Sequence, residues 1–178
     1  MRFALKPHPQ SRCAAVTAIE VEVTRLRPAV VRLRYVVTGT MVDLKLPPLA
    51  TPARTDGLWR STCFEAFVRG PAGARYQEFN LSPSTQWAAY RFDGYRQGMA
   101  PADLSRAPLA EVKATDRTLI LDVSLDLGDV EAGRLGLSAV IEETDGRISY
   151  WALAHPPGKP DFHHADCFAL ELPATERP

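Results

Sequence analysis

The feature that most constrains this chain is an alternation of apolar and polar residues, with period two, that recurs along nearly its whole length. Ile19, Val21 and Val23 alternate with Glu20, Glu22 and Thr24. Val31, Leu33, Tyr35 and Val37 alternate with Arg32, Arg34 and Val36, and Leu119, Leu121, Val123 and Leu125 with Thr118, Asp122 and Ser124. Leu135, Leu137, Ala139 and Ile141 repeat the pattern. Successive side chains of a strand point to opposite faces, so each stretch reads as a strand with one buried face. The segments CFEAFV, YQEFNLS, QWAAYRF and CFALEL bring the number of strands to about ten. Asp145-Gly146, between VIEE and ISYWAL, is the strongest hairpin signal. Helix has little room, because 15 Pro and 11 Gly interrupt the chain. Residues 99 to 111 allow one turn or two, opened by Pro101 and stopped by Pro108. The fold class is therefore all-β: an antiparallel β-sandwich of the jelly-roll kind with little helix.

A length of 178 residues fits a single domain, 1–178, with frayed ends expected at 1–14 and 173–178. The formal net charge is zero, so no broad attraction to nucleic acid or anionic lipid is expected. The opening MRFALKPHPQSRC lacks the apolar core of a signal peptide, and no run approaches the ~20 apolar residues of a membrane-spanning helix. The expected location is cytoplasmic. Cys13, Cys63 and Cys167 form no CxxC pair, and Cys63 and Cys167 read as small buried hydrophobes.

Two regions concentrate chemistry. The first, 56–96, holds two of the three Trp together with Tyr76, Tyr90 and Tyr95; the second, 150–167, holds the third Trp and three of the four His. Trp59 follows Asp56-Gly57 just before a strand, which places it at a sheet rim. In CFEAFV, Phe64, Ala66 and Val68 share the core face, leaving Cys63, Glu65 and Phe67 on the other. In YQEFNLS, Phe79 and Leu81 go to the core and Tyr76, Glu78 and Asn80 to the opposite face. In QWAAYRF, Trp87, Ala89 and Arg91 lie opposite Ala88, Tyr90 and Phe92, and the pattern leaves open which set is core. Arg96 emerges beyond the Asp93-Gly94 turn and suits a bidentate contact to a polar ligand. Exposed aromatic rings supply stacking platforms, and carboxylates, amides and guanidinium groups supply oriented hydrogen bonds. If the two regions meet, Trp59, Glu65, Asn80, Trp87, Arg91 and Arg96 would face Trp151, His155, Phe162 and His163 across one ligand site.

Catalytic signatures are absent: the chain has no GxSxG elbow, no GxxxxGK[ST] loop and no GxGxxG turn. Glu65 and Glu78 are the one pair that resembles the acid and base of a glycosidase. His155, Asp161, His163, His164 and Asp166 carry metal-ligating groups, but adjacent His side chains on extended backbone point apart, and no closed zinc spacing appears. A His paired with Met99 or with a second His is the corresponding haem alternative, without a CxxCH attachment motif. No cofactor is expected, and the main reading is a non-catalytic binder of a small polar molecule. A haem or redox domain and a protein-interaction module are the alternatives.

The order LWRSTCFEAFV, YQEFNLSPS, an aromatic strand, YWALAHPP and FHHADCFALEL resembles the DOMON-like superfamily over roughly residues 15–172, in particular domains similar to family-9 carbohydrate-binding modules. That resemblance implies a jelly-roll sandwich with a saccharide held between aromatic rings, with Trp59 matching the first ring. The second ring is expected in the loop after Trp151, where Phe162 or His163 stands in place of Trp.

Overall fold

The computed structural model describes residues 1–128 and 133–172. Twelve strands, β1 (Arg2–Pro7), β2 (Val16–Arg27), β3 (Val30–Gly39), β4 (Cys63–Arg69), β5 (Tyr76–Leu81), β6 (Trp87–Phe92), β7 (Ala100–Pro101), β8 (Ala110–Ala114), β9 (Thr118–Asp126), β10 (Arg134–Glu142), β11 (Ile148–Ala152) and β12 (Leu170–Glu171), are joined by turns and three 3-10 segments. The order β7-β6-β5-β4-β10-β11-β1-β2-β3-β9-β8 forms one curled antiparallel sheet, with β12 added beside β10. Its two halves fold over one another as a β-sandwich-like pair of layers. One half is β1, β2, β3, β9 and β8; the other runs from β7 to β11.

Alternation decides what each half buries. Val21, Leu33, Tyr35, Leu121 and Val123 of the first half meet Phe64, Phe79, Leu81, Leu137 and Ala139 of the second in one continuous core. Tyr35 crosses the interface: its ring lies 5.0 Å from that of Phe64, and its hydroxyl donates to the Glu65 carbonyl at 2.8 Å. This bond satisfies a phenol that burial would otherwise penalise. The Asp145-Gly146 hairpin joins β10 to β11 as its sequence predicts, with the Gly146 N–H donating to the Glu143 carbonyl.

Three expectations change. Residues 2–7, within the end expected to fray, are extended and paired. They form β1, which pairs with β2 on one side and with β11 on the other, and so links the halves. Residues 99–111 form no helical turn: β7 pairs with β6, and β8 begins at Ala110 and pairs with β9. CFALEL is strand only at Leu170–Glu171; Ala165–Cys167 is a 3-10 turn, and Cys167 and Phe168 are both buried. An extended segment would send those two neighbours to opposite faces, whereas the turn lets both pack down. Gly136 admits the close approach, since a Cβ there would lie 2.9 Å from the Cys167 carbonyl oxygen. The tail 173–178, also expected to fray, lies outside the described residues.

Candidate functional site

The outer face of the β7–β11 half is covered, which is what creates a site. Phe67, Tyr76, Ala88, Tyr90, Phe92 and Val140 rise from the strands, and Phe162 and Phe168 of the 153–169 segment pack onto them as a second apolar cluster. Leu58 and Trp59 of the 3-10 turn Leu58–Arg60 close one side. Cys167 pins the covering segment to itself, its thiol lying 3.3 Å from the Ala154 carbonyl oxygen and 3.2 Å from that of Asp161. Burial pushes that thiol up to about 12, so it is a packing group rather than a nucleophile.

Between cover and sheet lies a cavity of about 360 Å³, within the range of small-molecule sites. Trp59, Phe92, Tyr150 and Phe162 give it aromatic walls, and Met99, Val140 and Pro160 add apolar surface. Trp59 is fixed edge-on against Tyr90 at 5.9 Å, and the Tyr90 hydroxyl donates to Asp56 Oδ1 at 2.6 Å. The Asp-Gly turn before the strand thus positions the indole.

The polar lining comes from Glu65, Glu78, Arg96 and His163. Glu65 on β4 pairs with Asn80, and Glu78 stands two residues along β5, so their side chains are diagonal neighbours on one face. Both residues are more than nine-tenths buried. Glu65 Oε2 accepts from Ser138 Oγ at 3.2 Å, and Glu78 Oε1 accepts from Asn80 Nδ2 at 2.8 Å. Burial, and then the negative charge of Glu78, raises the Glu65 carboxyl well above the usual carboxylate range. Burial raises Glu78 as well, against the pull of Asn80 and Arg96.

His163 bridges cover and sheet. Its Nδ1 lies 2.7 Å from the Tyr76 hydroxyl, and its Nε2 lies 3.7 Å from Glu78 Oε2. The Arg96 backbone N–H donates to the same phenol oxygen at 3.3 Å. The two hydrogen bonds at the phenol are satisfied when its proton goes to Nδ1, which leaves the imidazole proton on Nε2, facing Glu78 Oε2 from beyond hydrogen-bond distance. Burial, and then the Arg96 charge, pushes His163 down to about 4, so the ring is neutral at pH 7.

Arg96 sits in the left-handed region, φ 53°, within the turn Asp93–Gln97. A non-glycine residue held there costs of order 1–3 kcal/mol and persists only when its surroundings impose it. Here they do: Arg96 Nη2 donates to Asp161 Oδ1 at 2.8 Å, and Tyr95 donates to Asp161 Oδ2. Burial would raise the Asp161 carboxyl, but these two donors hold it below its ordinary value. Asp161 therefore clips the 93–97 turn to the covering segment.

Of the ten residues singled out from sequence, Trp59, Glu65, Arg96, Phe162 and His163 line this cavity. Asn80 is fully buried beneath it, holding Glu78. Four lie elsewhere. Trp87 packs in the core between the halves because it shares a strand face with Ala89, and Tyr90 takes the site face. Trp151 sits opposite Ala139 in the same core, its indole N–H donating to Ser149 Oγ at 2.9 Å; its neighbour Tyr150 reaches the cavity instead. Arg91 is exposed, 3.8 Å from Asp93, and lines a separate depression with Arg75. His155 lies edge-on against His8 and donates from Nε2 to the Lys6 carbonyl. Sequence reading also left out Phe92, Val140 and Tyr150. Strand parity would have found them, since Val140 pairs with Cys63 on the Glu65 face and with Tyr150 on the next strand.

Among the described residues, no group of three or more His, Cys, Asp or Glu side chains is placed to hold a metal ion. Met99 and His163 do share the cavity, but both ring nitrogens of His163 face protein partners, Tyr76 and Glu78, so the imidazole does not fit as an axial ligand to haem. No helix among the described residues is long and apolar enough to cross a membrane.

No protein-family model and no curated protein matches the chain. A solved structure does: the crystal structure, at 2.70 Å resolution, of a putative carbohydrate-binding protein from Bacteroides uniformis. The likeness covers 93% of this chain and 83% of that one, with a TM-score of 0.61 and 12% sequence identity. It is a likeness of fold, an all-β sandwich shared over nearly the full described length.

Proposed function

We propose that the protein is a non-catalytic binding domain for a sugar or sugar-like small molecule, related in fold to the DOMON-like, carbohydrate-binding-module-like proteins. The observation that carries this reading is the cavity itself, a space of about 360 Å³ with aromatic walls and a floor of buried carboxylates. A sugar ring presents C–H faces ringed by hydroxyls. The Trp59, Phe92, Tyr150 and Phe162 rings match the faces, and Glu65 Oε1 and Glu78 Oε2, which accept no hydrogen bond from the described residues, match the hydroxyl donors. The carbohydrate-binding designation of the structural neighbour supports the same class of ligand. In this reading Arg96 and His163 shape the site, and Asp161 holds its cover in place.

Titration calorimetry against a panel of mono- and disaccharides tests the proposal. At least one sugar is expected to bind, and Trp59→Ala, which removes one wall at the rim, is expected to weaken that sugar about tenfold or more, in line with the loss of a stacking anchor. Sugars that bind the variant as well as the parent would place the site elsewhere. A folded parent silent to the whole panel would remove the sugar reading.

A further inference from the structure

The charge inside the cavity narrows the ligand further. This step rests on the reading of the cavity as a sugar-sized binding site. Glu65 and Glu78 are each more than nine-tenths buried, both open on the cavity, and each keeps one oxygen that accepts no hydrogen bond from the described residues. Buried carboxylates are ordinarily paired with a cation. Two basic side chains border the cavity: Arg96 lowers both acids through space, but neither it nor His163 donates a hydrogen bond to them. Arg96 is committed to Asp161 at 2.8 Å, with Tyr95 on the other carboxylate oxygen. His163 is 3.7 Å from Glu78 Oε2 and is held as a neutral ring by its burial and by the Arg96 charge. The floor therefore presents two acids, each raised by burial, with no charged side chain among the described residues hydrogen-bonded to either.

The walls point the same way. Trp59, Phe92, Tyr150 and Phe162 line the same cavity as the acids. Aromatic faces attract cations by their quadrupoles, most strongly where water is displaced. Acids and rings in one cavity are complementary to a positive group. A bound cation favours the ionised form of these acids, which burial disfavours, whereas a hydroxyl donates a hydrogen bond without that charge compensation.

We infer that the site is built for a ligand carrying a protonated amine, an amino sugar in the sugar-binding reading, with its ammonium group on Glu65 and Glu78 and its ring against Trp59 and Phe162. The neutral state of His163 contributes by keeping a competing cation off Glu78. The selectivity resides in the two acids.

The test is titration calorimetry at pH 7 with four probes: glucosamine, glucose, N-acetylglucosamine and choline. Glucosamine is expected to bind at least about tenfold more tightly than glucose or N-acetylglucosamine, the order expected for one desolvated charge contact. Glu65→Gln and Glu78→Gln, each checked for cooperative melting, are expected to erase most of that preference by weakening glucosamine more than glucose. Because Gln keeps the shape of Glu, at least one of the two is expected to fold. Equal affinity for glucosamine and glucose would overturn the amine inference and leave the sugar reading standing. Binding of choline without any sugar would overturn both the sugar reading and the protonated-amine inference, since a quaternary ammonium has no N–H to place on the two acids. A folded parent that binds none of the four would overturn the amine inference, and the wider saccharide panel would then decide the sugar reading separately.

Discussion

The two halves of the curled sheet are built from similar alternating sequences, yet they use their outer faces in opposite ways. In the β1–β2–β3–β9–β8 half the inner residues are buried and the outer ones meet water, where Arg32 donates to both oxygens of Asp122 at 2.7 and 2.6 Å. In the other half the central strands are buried on both faces: every residue of β4 from Cys63 to Val68 is inside, including Glu65, and on β5 so are Glu78 and Asn80. A polar residue on the outer face of the first half is a solvated surface group. The same residue type at the same parity in the second half is a buried, partnered group in a cavity. What differs is not the strand but what the chain lays over it, the 3-10 turn at Trp59 and the segment around Phe162 to Phe168.

The largest expected effect tests the face the halves share. Leu33 and Phe64 are both fully buried in the common core, one from each half. Phe64→Ala is expected to cost ~3–5 kcal/mol and Leu33→Ala ~2–5 kcal/mol in urea unfolding at pH 7. If either change cost under about 1 kcal/mol, the core would not be continuous across the halves.

Next in size is the contribution of His163, a group with no counterpart in the first half. An unfolded His protonates near 6.5, whereas His163 in the fold does so only near 4. Its contribution is therefore fully present above pH 6.5 and is lost as pH falls toward 4, when the unfolded chain takes up the proton first. The loss is of the order of a few kcal/mol. His163→Gln removes this dependence. Its stability, compared with the parent at pH 7.5 and at pH 4.5, should fall less on acidification. Parallel pH profiles for the two would mean that the ring is not shielded as described.

Much of the fold was legible because parity is a local property. The sides taken by Phe64, Phe79, Leu137 and Glu65 follow from alternation alone, and the structure keeps all four. Parity also marks Glu65, Glu78 and Tyr76 as sharing a face. It does not show whether that face is covered, because cover comes from residues distant in sequence, such as Phe162 over a surface made by β4 to β6. For the same reason Trp87 and Trp151 read as ligand aromatics: a Trp on a strand has the same local signature whether it faces a cavity or the opposite sheet. The histidine-rich segment was legible as a cluster, but its division was not. His163 turns to Tyr76 and Glu78, while His155 turns to His8 and Lys6. β1 escaped notice because RFALKP is short and charged, and it is held as a strand by its neighbours on both sides rather than by its own pattern.

The two smallest effects contrast acids of opposite surroundings. Glu65 takes its proton more readily in the fold than in the unfolded chain, so its contribution to stability is intact below the ordinary carboxylate range and is lost as pH rises through its raised value. Glu65→Gln is therefore expected to gain on the parent between pH 5 and pH 8 in urea unfolding, because the variant has no charge to bury. On the outer face of the first half, Arg32 and Asp122 are paired where one partner is half exposed, and solvent screens the attraction. Arg32→Ala should leave the melting temperature almost unchanged, and added salt should not alter the difference. A neutral outcome at Glu65 together with a marked one at Arg32 would reverse the contrast between the halves. It would mean that the covered face is as wet as the open one, and that the cavity holds its acids as ordinary surface groups.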